Sequence, residues 1–211
     1  MPLPTDWLAR LRRGLASAPR HDPAEWQIAG QPVADFAQVR AAMPPVPRAA
    51  AVLVPIVDHP QSPTLLMTTR AGHLRQHAGQ ISFPGGRIEA SDGDVIGAAL
   101  RETEEEIGIG PSYVEPLGFL PDQIVLTGFR ITPIVGLVRT GYVLRVDAAE
   151  VADVFEVPLA YLCDADNYRL TRRVLRGMEL TLNDLHFEGR VVWGATAGML
   201  QMLRTALLAE A

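Results

Sequence analysis

The feature that most constrains the fold is the segment 85–109, which passes from a glycine turn into a strongly acidic helix. It begins with Gly85-Gly86 after a proline, crosses an acidic loop and ends with four glutamates in the last turns of a predicted helix. Carboxylates one helical turn apart repel each other by roughly a few tenths of a kcal/mol per exposed pair. The helix dipole also disfavours negative charge at a helix C-terminus. We therefore expect a cation to bind there.

The predicted helix follows a capping aspartate, Asp92 or Asp94, and ends at Gly108, a residue suited to the left-handed conformation that closes a helix. Its apolar positions recur at steps of four, three and four and predict one buried stripe of Ile96, Leu100, Thr103 and Ile107. Opposite this stripe the spacing places Ala98, Glu102, Glu105 and Glu106. Glu104 belongs to neither group, and we expect it to face solvent.

The glutamates form a compact set of hard oxygen donors. Glu102, Glu105 and Glu106 stand at the spacing i, i+3 and i+4. Mg²⁺ and Mn²⁺ prefer such donors and usually complete their coordination with water and substrate phosphates. The upstream glycines allow the backbone to approach a ligand or metal closely. From the residues alone, a solvated acidic helix end is the alternative.

Composition limits the class of protein. The chain has 211 residues, 48% of them hydrophobic and 20% charged, with a formal net charge of -5, which fits one sizeable globular domain. This mild acidity argues against a general nucleic-acid or membrane-surface binder. Every basic residue is arginine, which excludes a catalytic lysine. The single cysteine, Cys163, excludes an intrachain disulfide and, with the absence of long apolar runs, predicts the cytoplasm.

Hydrophobic patterns predict a mixed α/β sandwich. We expect an N-terminal helix and irregular lead-in over residues 1–45 and one domain over 46–211. The amphipathic helix at 6–16 is predicted to pack on that domain or on a partner subunit, which allows a homodimer. Strands are expected at 49–57, 64–69, 81–83, 114–120, 131–138, 151–159, 168–174 and 180–187, loops at 70–80 and 121–128, and helices near 160–163 and at 195–209. Pro133 predicts an edge or bulged strand.

The acidic segment resembles the Nudix box. That pattern is Gly, five residues, Glu, seven residues, then Arg-Glu-apolar-x-Glu-Glu-x-Gly-apolar, and 101–109 matches its second half with Thr103 at the aliphatic position. The first half departs, because Asp92 stands six places after Gly86 and eight residues separate it from Arg101. The resemblance implies an α/β/α sandwich that hydrolyses diphosphates linked to another moiety. It assigns the metal to Glu102, Glu105 and Glu106 and implies that Arg101 orients a glutamate.

The stretch 66–86 resembles the signature of the coenzyme A diphosphatase branch of that family, with mild departures at Met67 and Ala71. The similarity continues through 126–128, 132–133, 150–159 and 192–198. It implies cleavage of coenzyme A or its thioesters to 3′,5′-ADP and (acyl-)4′-phosphopantetheine, with Mg²⁺ or Mn²⁺ as the cofactor. Another nucleoside diphosphate derivative, such as ADP-ribose or a dinucleotide, and a catalytically silent ligand sensor are the alternatives.

Arginines in this stretch suit an anionic ligand, because their forked donors match phosphate oxygens. We expect the substrate to contact Arg70, Arg75, Gln80, Gly85, Gly86 and Arg87. The alternative for Arg70 and Arg75 is pairing with the protein's own carboxylates. Glu150 is the strongest further candidate among the acidic residues for a role as metal ligand or base. The alternative for Glu150 is a surface carboxylate. The number of metal ions, the catalytic base, the role of Asp92 and the preferred acyl form stay open.

Overall fold

The computed structural model describes residues 2–15, 26–32, 41, 44, 46–175 and 178–209. Its helices are α1 (Trp7–Gly14), α2 (Val95–Ile107), α3 (Leu159–Cys163) and α4 (Gly194–Leu208), with 3-10 turns at Pro111–Tyr113 and Ala165–Asn167. Its strands are β1 (Gln27–Ile28), β2 (Gln31–Pro32), β3 (Arg48–Val57), β4 (Thr64–Arg70), β5 (Ile81–Ser82), β6 (Gly85–Arg87), β7 (Val114–Phe119), β8 (Gln123–Val125), β9 (Phe129–Val138), β10 (Val151–Pro158), β11 (Tyr168–Leu175), β12 (Met178–Phe187) and β13 (Arg190–Val192).

A mixed sheet forms the centre of the fold. Within the described ranges its strand order is β10-β4-β3-β9-β8-β1-β2, and β5, β6 and β7 pair with β4, β3 and β9. β3 and β9 run parallel over ten residue pairs, from Arg48 opposite Phe129 to Val57 opposite Val138. A smaller antiparallel sheet has the order β11-β12-β13. Strand β6, which contains Gly85 and Gly86, pairs antiparallel with β3 of this ladder.

Helices cover both faces of the mixed sheet. Leu53 of β3 packs with Ala98 of α2, whereas the next residue, Val54, packs in a core that contains Leu200 of α4. Successive side chains of a strand point to opposite faces, so one strand can supply both cores. The predicted α/β/α sandwich is thereby confirmed.

The N-terminal helix packs on this domain. Leu11 is fully buried in the core that also contains the apolar residues of α4. Gly14 lies so close to α4 that a Cβ added there would be 2.9 Å from Ala206 Cα. The predicted helix at 6–16 is thus confirmed as α1. Of the predicted N-terminal part, residues 1, 16–25, 33–40, 42, 43 and 45 lie outside the described residues, and the division after residue 45 stays a prediction.

Two predictions about the central strands were wrong. Pro133 lies in the middle of the sheet, because β9 pairs along its whole length with β3. On its other side β9 changes neighbour, from β8, which ends its pairing at Ile131, to β7, which begins at Ile134. Pro133 occupies this gap, where no N–H donor is needed, and its carbonyl accepts from Leu120 N. The predicted loop 121–128 contains strand β8.

The elements of the C-terminal half agree closely with those predicted from the sequence. β10 and α3 occupy the predicted positions, β11 and β12 form the predicted hairpin, and α4 closes the domain. Cys163 is buried, as expected for a packing residue. None of the helices in the described part of the chain combines the length and the apolar character needed to cross a membrane.

Candidate active site

Helix α2 is defined by its local capping residues. Asp94 is extended and its Oδ1 accepts a hydrogen bond from Gly97 N at 2.7 Å. Gly108 closes the helix with φ +79°, and its N–H donates to Glu104 O. Of the two predicted capping residues, Asp94 therefore caps the helix, and Asp92 is available for another contact.

The buried face of α2 is wider than the predicted stripe. Thr103 and Ile107 are buried as predicted, whereas Ile96 and Leu100 are only partly buried. The placement of Ala98 and Glu106 opposite the buried stripe was wrong: Ala98 is fully buried and Glu106 is only 3% exposed. The reason is that α2 packs against β6 as well as against β3. Glu104 and Glu105 are exposed.

Glu106 is held at the glycine strand β6. Its Oε2 accepts a hydrogen bond from Gly85 N at 3.3 Å, and its Oε1 lies 3.8 Å from a terminal nitrogen of Arg70. Gly85 has φ +150°, and a Cβ there would fall 2.4 Å from Ala51 O. Only glycine fits this position, because both the backbone conformation and the space exclude a side chain.

Glu102 lies against the second glycine. A Cβ on Gly86 would fall 2.5 Å from the carboxylate atoms of Glu102. The Glu102 Oε1 atom also pairs with a terminal nitrogen of Arg101 at 3.0 Å. The carboxylates of Glu102 and Glu106, which are one helical turn apart on α2, thus lie against the two glycines of β6.

Arg101 joins the acidic loop to the helix. Its Nε donates to Asp92 Oδ1 at 2.6 Å, and its NH1 donates to Glu105 Oε2 at 2.8 Å. Its NH2 donates to the carbonyl of Arg87 at 3.1 Å. The hydrogen bond from Arg101 lowers the pKa of Asp92 below its ordinary value and raises the pKa of the Arg101 guanidinium. Asp92 therefore orients Arg101 despite the longer loop.

Burial raises the pKa of both inward-facing glutamates. Desolvation raises the pKa of Glu106 to about 7, with smaller upward contributions from Glu150 and Glu102 and opposing contributions from Arg70 and Gly85 N. The pKa of Glu102 is also raised, mainly by desolvation, although Arg101 opposes this. The favourable contacts of each carboxylate are thus too few to offset the hydration that its charged form loses on burial.

A cleft of about 760 Å³ opens beside these residues. One end is polar and is lined by Arg70, Gln76, His77, Gln80, Ser82, Gly85, Gly86, Arg87, Glu89, Glu102 and Glu150. The other end is apolar and is lined mainly by Ile28, Ala29, Ile124, Leu126, Leu180, Leu182 and Trp193. A ligand that fills the cleft must therefore present charged or polar groups at one end and apolar surface at the other.

Comparison with known proteins decides the family. The NUDIX domain model matches residues 47–168, more than half of the chain. The chain belongs to the Nudix family. The uncharacterized Nudix hydrolase NudL of Escherichia coli O1:K1 / APEC is 46% identical over 156 residues, which are 74% of this chain and 81% of that protein. The family match and this hydrolase relative support hydrolase chemistry for this Nudix protein.

Solved structures include more distant Nudix proteins. RenU from M. smegmatis is 18% identical, with a TM-score of 0.47, over 74% of this chain and 84% of that chain. The NUDIX domain of Shewanella oneidensis NrtR, complexed with ADP ribose, is 23% identical, with a TM-score of 0.43, over 59% of this chain and 83% of that chain.

Nudix hydrolases generally use divalent metal ions, and the donor chemistry here fits one. Glu102 and Glu106 are desolvated carboxylates with raised pKa values, and a cation would relieve their repulsion. In the arrangement observed, no group of three or more His, Cys, Asp or Glu side chains within the described ranges is set to hold a metal ion. Arginines occupy the carboxylates instead: Arg101 at Glu102 and Arg70 at Glu106. A metal would therefore replace these contacts.

The predicted site residues divide into those that line the cleft, those next to its lining, and Arg75. Those that line the cleft of this Nudix domain are Arg70, Gln80, Gly85, Gly86, Arg87 and Glu102. Arg101 and Glu106 lie behind the lining and contact Arg87 and Gly85 of it through hydrogen bonds. Glu105 lies farther out and pairs with Arg101. Arg75 is exposed and lies outside the cleft lining as the described residues define it. Gln80 is fixed by a 2.8 Å hydrogen bond between its Oε1 and His77 Nδ1.

No chemical feature of the sequence assigns the residues at the apolar end of the cleft to a binding site. Trp193 and Leu126 fall within stretches that match the branch signature, but neither carries a group that suggests phosphate chemistry. Leu180 and Leu182 are ordinary strand residues whose position becomes visible only when β12 folds over β8. These residues carry no charge, so the charge pattern of the sequence does not indicate them.

Proposed function

We propose that this Nudix hydrolase cleaves coenzyme A or its thioesters to 3′,5′-ADP and (acyl-)4′-phosphopantetheine. One observation carries the proposal: the stretch that resembles the coenzyme A diphosphatase signature and the acidic helix share one cleft. Arg70 belongs to the first and Glu102 to the second, and both line that cleft. Arg70 also reaches Glu106 at 3.8 Å, so signature and helix are in direct contact.

The charges of the cleft support a diphosphate ligand. Arg70 is proposed to bind oxygens of the diphosphate, with Arg75 reaching the ligand from the exposed loop, and Arg87 is proposed to contact another phosphate group of the substrate. We assign the divalent ion, Mg²⁺ or Mn²⁺, to Glu102, Glu105 and Glu106. Such an ion supplies charge neutralisation at the phosphate oxygens and a more acidic attacking water.

The reaction adds one water across the anhydride. A P–O bond forms between the water oxygen and one phosphorus, the bridging P–O bond breaks, and each product keeps a phosphate monoester. The two protons of the water leave to the products and to solvent. Glu150, an exposed carboxylate at the polar end, is available either as a further ligand or as a base. Glu150→Gln tests the second role through the pH dependence of turnover.

The apolar end of the cleft fits the same substrate. Coenzyme A carries its charge on the phosphates, whereas its pantetheine arm and any acyl group are less polar. Leu180, Leu182 and Trp193 would contact such a part and exclude water from it.

A substrate panel with product analysis tests the proposal. Purified protein with Mg²⁺ or Mn²⁺ is offered coenzyme A, an acyl thioester, ADP-ribose, a diadenosine polyphosphate and a nucleoside triphosphate, and the products are separated by chromatography. We expect 3′,5′-ADP from the first two. Intact coenzyme A with consumption of ADP-ribose would overturn the proposal in favour of another nucleotide hydrolase. Binding without any hydrolysis would favour a ligand sensor.

A cytoplasmic location and a homodimer also stay predictions. The buried, unpaired Cys163 supports the first. For the second, Leu11 of α1 is already used in the protomer's own core, so the dimer would need another surface. Light scattering coupled to size-exclusion chromatography measures the state directly.

A further inference from the structure

Three side chains from separate strands meet at the rim of the cleft. They are Arg48 at the start of β3, Phe129 at the start of β9 and Arg87 at the end of β6. The guanidinium carbon of Arg48 lies 4.1 Å from the centroid of the Phe129 ring, and that of Arg87 lies 5.6 Å from it. A guanidinium within about 6 Å of an aromatic ring centroid is attracted to the ring. We refer to these residues as the Arg48–Phe129–Arg87 cluster.

The strand register fixes where this cluster lies. Arg48 is opposite Phe129 in the parallel ladder, and Arg87 is opposite Ala50 in the antiparallel one. Residues two apart in a strand face the same side, so Arg48 shares its face with Ala50. Ala50, Phe129 and Arg87 line the cleft. Arg48 is not one of the lining residues, and its contact with the ring of Phe129 places it at the edge of the cleft.

The two arginines differ from the other cationic groups of the site. Arg70 and Arg101 are paired with carboxylates, Glu106 and Asp92 respectively. In the part of the chain that the structure describes, neither Arg48 nor Arg87 has a carboxylate within ion-pair distance. The Arg48 side chain donates a hydrogen bond to the carbonyl of Thr127, at 3.2 Å.

The donors that a ligand in this part of the cleft can reach are the two guanidinium groups. Arg48 and Arg87 are both exposed, and neither has a carboxylate partner among the described residues. Thr127 also lines the cleft, but its Oγ1 is shielded from solvent and is therefore not counted among these donors. Two guanidinium groups beside one aromatic ring form a donor set for an anion with several acceptor oxygens.

We propose that the Arg48–Phe129–Arg87 cluster is a subsite for a phosphate monoester of the substrate, distinct from the diphosphate that is cleaved. This inference rests on the proposed function, in which the monoester is the 3′-phosphate of the ribose. A monoester carries close to two negative charges and three acceptor oxygens, which match two forked donors. Arg87 is two residues from Gly85, whose N–H donates a hydrogen bond to Glu106. The subsite therefore adjoins the polar end of the cleft, where the diphosphate would be bound.

The cluster should therefore distinguish coenzyme A from 3′-dephospho-coenzyme A. The test measures kcat/KM for both substrates with the wild type, Arg48→Gln and Arg87→Gln. The loss of a charged hydrogen-bonding partner is expected to lower the ratio of the two kcat/KM values about ten- to a hundredfold in Arg48→Gln. Arg169→Gln, which removes an exposed arginine on β11, is the matched control and should keep the wild-type ratio. Equal losses for both substrates, or an unchanged ratio in Arg48→Gln, would overturn the subsite.

A binding measurement separates the subsite from the proposed function. Calorimetry with 3′,5′-ADP and with 5′-AMP requires no turnover, and we expect 3′,5′-ADP to bind more tightly to the wild type but not to Arg48→Gln. If coenzyme A is not hydrolysed and this difference is present, the subsite stands while the proposed function fails. If coenzyme A is hydrolysed and both nucleotides bind equally, the subsite fails while the proposed function stands. Circular dichroism of each variant verifies that the fold is retained.

Discussion

The carboxylate of Glu102 lies directly against Gly86, so that a Cβ at residue 86 would fall 2.5 Å from its oxygens. Real Cβ atoms essentially never approach a neighbour so closely. The glycine therefore sets the position of a proposed metal ligand through the absence of a side chain. This relationship gives the first prediction.

Replacing Gly86 with alanine should displace the Glu102 carboxylate while β6 stays paired with β3. We expect kcat to fall about a hundredfold, since small displacements within a catalytic site have effects of that size. Gly72→Ala is the matched control, because a Cβ there meets nothing within 4 Å. Steady-state kinetics with Mg²⁺ measures the effect, and equal activity in the two variants would contradict the prediction.

Glu106→Gln should abolish most of the metal-dependent turnover. The substitution keeps the shape of the side chain but removes the charge that a divalent ion needs, and the ion supplies several kcal/mol of stabilisation to the transition state. A loss of at least about a hundredfold in kcat is expected. Glu104→Gln changes the same charge on the exposed side of the same helix and should retain activity. Wild-type turnover in Glu106→Gln would show that the metal binds elsewhere.

The metal-free protein should lose stability as the pH rises from about 4.5 to about 7. Burial raises the pKa of Glu106 to about 7 from its ordinary value of 4.5, so in this window the folded state holds a proton that the unfolded state has released. The contribution is fully present below 4.5 and is lost above 7, with a total of about 3 kcal/mol. Urea unfolding with a chelator present measures it. The difference between wild type and Glu106→Gln isolates this group, and a pH-independent difference would contradict the assignment.

Asp92→Asn should reduce kcat/KM about ten- to a hundredfold, the usual effect of removing a residue that orients a catalytic group. Asp92 accepts from Arg101 at 2.6 Å, and Arg101 in turn contacts Glu102 and Glu105. Since Arg101 lowers the pKa of Asp92, the loss should be the same at every pH above 5. Asp58→Asn, at an exposed carboxyl, is the control. A loss that appears only near neutral pH would indicate a different role for Asp92.

Arg173→Met should destabilise the wall of the apolar end. Arg173 pairs with the fully buried Asp184 at 2.5 Å, and its guanidinium carbon lies 4.6 Å from the ring centroid of Trp193. Removing one partner of such a pair costs about 3–5 kcal/mol, because the other charge stays buried. Arg169→Met, on the same strand but exposed, should change the free energy of unfolding by no more than about 0.5 kcal/mol. Urea unfolding of both variants tests the difference, and equal stabilities would refute it.

The sequence predicted those elements whose signals are local. The bounds of α2 follow from Asp94 and Gly108, which act within a few residues of the helix ends. The hairpin of β11 and β12 and the amphipathic helices α1 and α4 likewise depend on short-range patterns. Hydrophobic periodicity and capping decide such elements before any tertiary contact forms.

The failures arose where tertiary contacts decide the outcome. Glu106 is buried because β6 covers a second side of α2, and a helical pattern read against one face cannot show that. Pro133 is tolerated in a central strand because β9 changes neighbour at that residue. The Arg48–Phe129–Arg87 cluster joins residues up to 81 positions apart (from 48 to 129), and only the register of β3 with β9 brings them together. Charge patterns predicted the acidic part of the candidate site, whereas its apolar part carries no chemical signature in the sequence.

The pairing of β6 with β3 has a consequence for how such a protein can diversify. Gly85 and Gly86 are strand residues hydrogen-bonded into the central ladder, while most of the preceding segment 71–80 is exposed and contains neither helix nor strand. Insertions and exchanges in that segment would leave the core unchanged, but an insertion in β6 would shift its register with β3. Substitutions in the loop 71–80 can therefore change ligand preference during evolution without affecting the core. The glycines of β6 and the glutamates of α2 can change only together with the sheet that holds them.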